Sequence, residues 1–149
     1  TLDLDLMIDA DADAARRVAE ALREDFHVDE DDAADAARRR SSFSAIHLES
    51  LLKVDFFFAE DDDAVRRQFE RSEPVRIGGA VLRFYSPEDV ILRKLMWFRL
   101  GGEQSDRQWR DVSGVLRISR TRLDFDYLSH AAEHFGVRDL LDLALVEIG

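Results

Sequence analysis

Cysteine is absent from the 149 residues, which excludes a disulfide framework and any thiolate metal centre. No apolar run approaches the roughly 20 residues that a membrane-spanning helix needs, and no signal-peptide pattern opens the sequence. The expectation is a cytoplasmic protein without a membrane partner. Positive charge is short as well. Lys and Arg number 21 against 32 Asp and Glu, a formal net charge of −11. That balance excludes broad, non-specific nucleic-acid binding, which needs a basic footprint. It leaves room for an enzyme that meets RNA or a nucleotide through a local arginine patch and a bound metal. Lysine is scarcest of the charged types, with only Lys53 and Lys94 in the chain. A GC-rich genome produces the same preference for arginine, so the bias carries no function by itself, but it singles out the two lysines. Proline occurs twice, and each instance marks a boundary: Pro74 breaks one helix and Pro87 begins another.

What is present describes an ordinary globular chain, 46% hydrophobic and 36% charged. Its length suits one domain, a core carrying an appended subdomain. The most ordered pattern comes first. Residues 1–9 (Thr-Leu-Asp-Leu-Asp-Leu-Met-Ile-Asp) alternate apolar and acidic side chains, the period-two signature of a half-buried strand. The apolar face explains itself by packing; the row of carboxylates does not. Like charges about 7 Å apart along one face repel unless water or a cation lies between them. A second strand-like run, Leu52-Lys53-Val54-Asp55-Phe56-Phe57-Phe58, holds one carboxylate among apolar residues, and a buried carboxylate needs a partner. Laid beside the first strand, it would bring Asp55 to Asp3 and Asp5, a hard-oxygen set suited to Mg²⁺.

Between and beyond these runs the pattern predicts alternating elements. Ala14–Arg23 reads as an amphipathic helix, Phe26–Val28 as a short strand, Asp29–Asp32 as an acidic turn and Ala33–Arg40 as an alanine-rich helix. The arginines at 38–40 suit the negative end of that helix or, alternatively, a phosphate-contacting patch. Phe43–Leu48 forms a hairpin with Leu52–Phe58, and His47 within it reads as structural. Glu60–Asp63 caps a helix to about Arg71 with Val65 and Phe69 facing inward. Gly78-Gly79 joins two short strands as a hairpin turn. Ser86-Pro87-Glu88-Asp89 is the clearest helix start, with Ser86 as N-cap and Asp89 completing a capping box; Glu88, Asp89 and Asp106 read as capping or solvated residues. Only helices follow. The expected fold is therefore α/β (α+β): a core over 1–85 with a mixed sheet and flanking helices, and a helical part over 86–149 packed on it.

Four blocks carry a resemblance: residues 1–6, Lys53-Val54-Asp55-Phe56-Phe57, Ser86-Pro87-Glu88-Asp89-Val90 leading to Lys94-Leu95, and Arg110-Asp111-Val112. In this order the chain resembles the nucleotidyltransferase superfamily, in particular small bacterial proteins related to AbiEii-type toxins and minimal nucleotidyltransferases. The resemblance implies a nucleotidyltransferase-like sheet and a metal-dependent transfer of an NMP group from an NTP to an RNA end or a protein hydroxyl. It implies toxin–antitoxin membership with a partner protein. It assigns Asp3 and Asp5 to Mg²⁺, as one ion or a two-ion site, and Asp55 as a third ligand or as base toward the acceptor hydroxyl. Lys94 would offset phosphate charge with Asp111 orienting it; the plainer expectation for that pair is an interhelix salt bridge. The family's Gly-Gly or Gly-Ser turn, which grips the β,γ-phosphates, is missing from residues 1–149 and is expected in a segment ahead of Thr1. The alternative function is a catalytically silent binding module, an antitoxin-like partner that keeps the fold.

Overall fold

The computed structural model describes residues 3–149; Thr1 and Leu2, which the alternating pattern assigns to the first strand, lie outside the described residues. Among these residues the chain is mixed α/β, with a four-stranded mixed sheet, a two-stranded ribbon and a helical C-terminal part. It divides into two compact units, the first ending at Asp61 and the second spanning Asp62–Gly149.

The first unit runs β1 (Asp3–Ile8), α1 (Ala12–Leu22), β2 (Phe26–His27), α2 (Glu30–Arg39), β3 (Ser42–His47) and β4 (Lys53–Phe58). The strands lie in the order β1-β4-β3-β2. β1 is parallel to β4, and β3 is antiparallel to both β4 and β2. A parallel pair needs a long crossover, and the segment from α1 to β3 supplies it. The register pairs Asp3 with Lys53, Asp5 with Asp55, and Ser44 with Asp55 across the next strand boundary. Residues paired in register project to the same face. One face carries Leu6, Ile8, Val54, Phe56, Phe58, Phe43 and Ala45 into the core beneath α1 and α2. The other, outward face carries the apolar Met7, Phe57 and Ile46 as well as its polar members, Asp3, Asp5, Lys53, Asp55, Ser42 and Ser44.

Alanine decides how the helices sit on that core. Ala15 and Ala19 of α1 and Ala33, Ala36 and Ala37 of α2 are buried, and their small side chains let the two helix backbones approach each other closely. The sheet fills the volume with aromatics: Phe43 stacks on Phe56 with ring centroids 4.7 Å apart. An offset pair of this kind contributes about 0.5–1.5 kcal/mol beyond its area. The acidic stretch expected as a turn is instead the start of α2. The Asp29 carboxylate accepts from the N–H groups of Asp31 and Asp32 at 2.8 and 3.0 Å, and Glu30, Asp31 and Asp32 fill the first turn, where the helix dipole favours acid.

The second unit runs α3 (Asp63–Arg71), β5 (Glu73–Ile77), β6 (Ala80–Phe84), α4 (Pro87–Leu100), α5 (Asp106–Ser119), α6 (Phe125–His134) and α7 (Arg138–Ile148). Ile91, Leu92, Leu95, Val112, Leu116, Leu128 and Leu141 form its core, drawn from the four long helices at helical spacing. In α3 the buried pair is Val65 and Gln68; Phe69, expected inward, is only half-buried. Arg93 donates to Gln68 Oε1 at 2.9 Å, which offsets part of the cost of burying that amide. No helix among the described residues is long and apolar enough to cross a membrane.

Candidate functional site

The candidate metal face is built by register. β1 and β4 hold Asp5 and Asp55 as direct neighbours, with Asp3 two residues back on the same face beside Lys53. Asp3 and Asp5 are exposed. Asp55 is the sheltered member, its side chain 16% exposed. Its partners account for that shelter: Lys53 Nζ lies 2.7 Å from Oδ2, and the Ser44 hydroxyl donates to Oδ1. Burial pushes the Asp55 carboxyl up, but the bonds from Lys53 and Ser44 outweigh it and hold the group below its ordinary range. The Lys53 ammonium is in turn held above its ordinary range, first by its bond to Asp55 and then by the charges of Asp55, Asp3 and Asp5.

Three carboxylates on neighbouring strands, on one face, match the hard-oxygen donor chemistry that Mg²⁺ requires, and in that respect the residues fit the ion. Their present rotamers are another matter. Among the described residues no group of three acidic or histidine side chains stands together as a ligand set. Asp55 instead spends one oxygen on Lys53 and the other on Ser44. The sheet thus brings the three backbones together, while a cation already in the chain occupies the third carboxylate.

The second candidate pair lies in the other unit. Lys94 on α4 reaches Asp111 on α5, with Nζ 2.7 Å from Oδ2 and 3.5 Å from Gln108 Oε1. The side chains are 29% and 42% exposed, so this is a water-accessible interhelix ion pair of the weak surface class. Each of the chain's two lysines is therefore bonded at the same distance, 2.7 Å, to an aspartate named as a site residue.

Two other candidates take structural places. His47 Nδ1 accepts the Ser50 N–H at 3.1 Å and the ring meets Phe26 edge-on at 5.0 Å, so it fastens the turn between β3 and β4. The arginines at the end of α2 are partly spent: Arg38 pairs with Asp35, and Arg40 lies 3.3 Å from Asp9. Arg39 lines a cleft of about 510 Å³. Asp29, Asp32 and Asp35 line the same cleft, and their charge opposes a phosphate there.

Glu88 and Asp89, expected as capping or solvated residues, are 3% and 0% exposed. Asp89 does cap, since its N–H reaches Ser86 Oγ at 3.2 Å while Ser86 donates back at 2.8 Å. Its other oxygen accepts the Tyr127 hydroxyl at 2.6 Å. Glu88 accepts the Asp124 N–H at 2.8 Å, satisfying the start of α6, and pairs with Arg71 at 3.3 Å. Arg71 lies over the Tyr127 ring, 3.8 Å from its centroid. Burial pushes Glu88 up, yet the bonds from Asp124 and Ser86 and the Arg71 charge hold it below its ordinary range. Burial and the Asp89 carboxylate push the Tyr127 phenol well above its own. This network joins α3, α4 and α6 and explains itself as structure. No sequence spacing announced its links between helices, because they join residues 17 to 56 positions apart along the chain.

Comparison with protein-family models and with curated proteins finds no match to this chain.

Proposed function

We propose that the protein is a metal-dependent nucleotidyltransferase that moves an NMP group from an NTP to an RNA end or a protein hydroxyl, as a cytoplasmic enzyme of a toxin–antitoxin pair. One observation carries the proposal: the parallel β1–β4 register sets Asp5 against Asp55 with Asp3 on the same face. Alternating acids on a single strand could simply face water. A third carboxylate brought alongside by a separate strand adds repulsion that the single Lys53 ammonium offsets only for Asp55, which leaves an excess of negative charge on the face for a cation to neutralise.

Asp3, Asp5 and Asp55 would hold Mg²⁺, whose chemistry is to neutralise charge gathering on the α-phosphate and the leaving pyrophosphate. Ser44, bonded to Asp55, orients that carboxylate. The resemblance also offers Asp55 as base toward the acceptor hydroxyl, but the bonds from Lys53 and Ser44 hold it below its ordinary range and suit it better to ligating the ion than to taking a proton. The resemblance assigns Lys94 to offset phosphate charge and Asp111 to orient it, and the two are bonded to each other within the second unit.

The test is transfer of label from an α-labelled NTP, with Mg²⁺ present and then removed by chelation. Asp5→Asn should cut Mg²⁺-dependent transfer by about a hundredfold or more, the scale of losing one preorganised charge-stabilising group. Asp5 is exposed, so its charge contributes repulsion rather than packing, and the melting temperature should stay level or rise slightly. Absence of label transfer from the parent protein to RNA or protein, with every NTP tried, would remove the enzymatic proposal.

A second function has an observation of its own. The Lys53–Asp55 bond supplies a permanent cation to the carboxylate face, as a catalytically silent module that keeps the fold would need. For such a module Asp5→Asn changes nothing measurable, and the activity lies in binding an antitoxin-like partner.

A further inference from the structure

We propose that the outward face of α5 docks an acidic amphipathic helix of a partner protein, with Arg107, Arg110 and Arg117 holding its carboxylates and Gly114 admitting its backbone. The inference rests on the second unit alone and is independent of the metal site proposed in the first.

The helical turn creates the face. α5 buries Val112, Ser113, Leu116 and Ser119. On its other side Arg107, Arg110, Gly114 and Arg117 follow one another at steps of three, four and three residues, the spacing of a seam along which a second helix lies. The three arginines are exposed. Ile118, one turn beyond Gly114, is 82% exposed.

Charge names the occupant. The chain carries a net −11, so this basic stripe is an exception on an acidic protein. Elsewhere arginines are spent on acids of the same chain, Arg16 on Asp31, Arg99 on Asp139 and Arg138 on Asp142. Among the described residues no carboxylate pairs with Arg107, Arg110 or Arg117. Of the two acids on α5, Asp111 is held by Lys94. Asp106 fills the first turn and offers its backbone oxygen to Arg110 Nε at 3.2 Å. Guanidiniums in a row with no acid of their own suit carboxylates from outside, which they can grip with two parallel bonds.

Gly114 names the shape. Glycine inside a helix is less favourable than alanine, and a Cβ added there would meet no atom within 4 Å. Packing within the chain therefore gives no reason for it. The missing side chain leaves a gap between Arg110 and Arg117 where another helix can come close, and Ile118 borders that gap as an apolar contact. A nucleic-acid backbone would satisfy the arginines but draw nothing from Ile118 or from the gap. A helix whose apolar stripe is flanked by glutamates uses all of them.

Fluorescence anisotropy on the intact chain tests this with three labelled probes: an amphipathic helical peptide of Leu and Glu, a scrambled peptide of the same composition, and a short single-stranded RNA. The amphipathic peptide should bind about tenfold more tightly than the scrambled one, and its affinity should fall as NaCl rises. Arg110→Gln combined with Arg117→Gln should weaken it about tenfold, whereas Arg67→Gln, at an exposed position on α3, should leave it unchanged. Gly114→Leu should also weaken binding while the melting temperature holds or rises, because leucine favours the helix and its side chain enters open space. That pairing separates lost docking from lost folding. Equal binding of the scrambled peptide, or unchanged binding by Gly114→Leu, overturns the proposal. Tighter binding of the RNA than of the amphipathic peptide overturns it in favour of a nucleic-acid surface, and a dimer of the parent that Gly114→Leu dissolves gives the face to a second copy instead.

Discussion

Tyr127 shows how much a single hydroxyl can carry when its acceptor is buried. It donates at 2.6 Å to Asp89, a carboxylate with no exposed surface. Tyr127→Phe keeps the ring, and with it the Arg71 stack, but removes one donor from that carboxylate. The expected cost is about 1–3 kcal/mol, the penalty for leaving a buried acceptor short of a partner. Both tryptophans, Trp97 and Trp109, lie in the same unit, so urea unfolding followed by their fluorescence reads the change. The pH dependence has a definite sign. A phenol whose folded pKa is raised contributes stability that is complete below the unfolded value, about 10, and that is lost as pH rises beyond it. In Tyr127→Phe the alkaline loss of stability should therefore be shallower than in the parent. An identical alkaline limb in both proteins would show that the phenol is not held in its neutral form.

At the scale of elements, the turn of the β5–β6 ribbon makes the sharpest prediction. Gly78 has φ of +59°, a left-handed conformation that an L side chain enters at a cost of about 1–2 kcal/mol. Gly79 has no such φ, and a Cβ added at either position would meet no atom within 4 Å. Space is thus equal at the two positions, and only the backbone differs. Gly78→Ala should destabilise the second unit, whereas Gly79→Ala should be neutral or stabilising by roughly 0.4–1 kcal/mol through the unfolded chain. Denaturation midpoints of the two variants check the contrast; equal midpoints would refute it. The ribbon also shows how an element can be right in pattern and incomplete in burial. Val75, Ile77, Leu82 and Phe84 share one face by register, yet all remain at least 42% exposed.

The whole molecule is held by carboxylates more than its composition suggests. Asp29, Asp55, Asp62, Glu88 and Asp139 all lie below their ordinary ranges, and each has named donors. For Asp29 the leading cause is backbone N–H bonds at a helix start; for Asp139 it is the Arg99 side chain. A depressed folded pKa contributes stability that is present above the unfolded value and lost as pH falls through the folded one. Thermal stability should therefore fall steadily below about pH 4.5, the upper end of the unfolded carboxylate range. At neutral pH the net charge of −11 opposes compactness through self-repulsion, so moderate NaCl should raise the melting temperature. A melting temperature level from pH 7 to pH 3 would contradict the assigned donors.

The sequence by itself determined the elements and the sorting of their faces. Alternation of acidic and apolar residues over 3–6 and the apolar run around Asp55 at 52–58 mark two strands, and Ser86-Pro87 marks a helix start. These are local facts, set by the pleat, the helical turn and the chemistry of a cap. From them a mixed sheet with flanking helices and a helical C-terminal part were legible, as was the placing of Asp55 on a strand beside that of Asp3 and Asp5; the division into a four-stranded sheet and a separate ribbon was not. What lay beyond reach was decided by distant segments meeting. Asp29–Asp32 joined a helix rather than a turn: the Asp29 carboxylate caps the N–H groups of Asp31 and Asp32, and the alanines that follow are buried against α1 and β3. Glu88 and Asp89 look like solvent-facing acids in any local window. They are buried because Arg71, Asp124 and Tyr127 arrive from other helices with the donors that make burial affordable. The partner of Asp55 likewise depended on the tertiary structure. Lys53, Ser44 and a metal are all compatible with the one-dimensional pattern. Which of them holds that carboxylate depends on register across three strands, and register is fixed only when the sheet closes over its core.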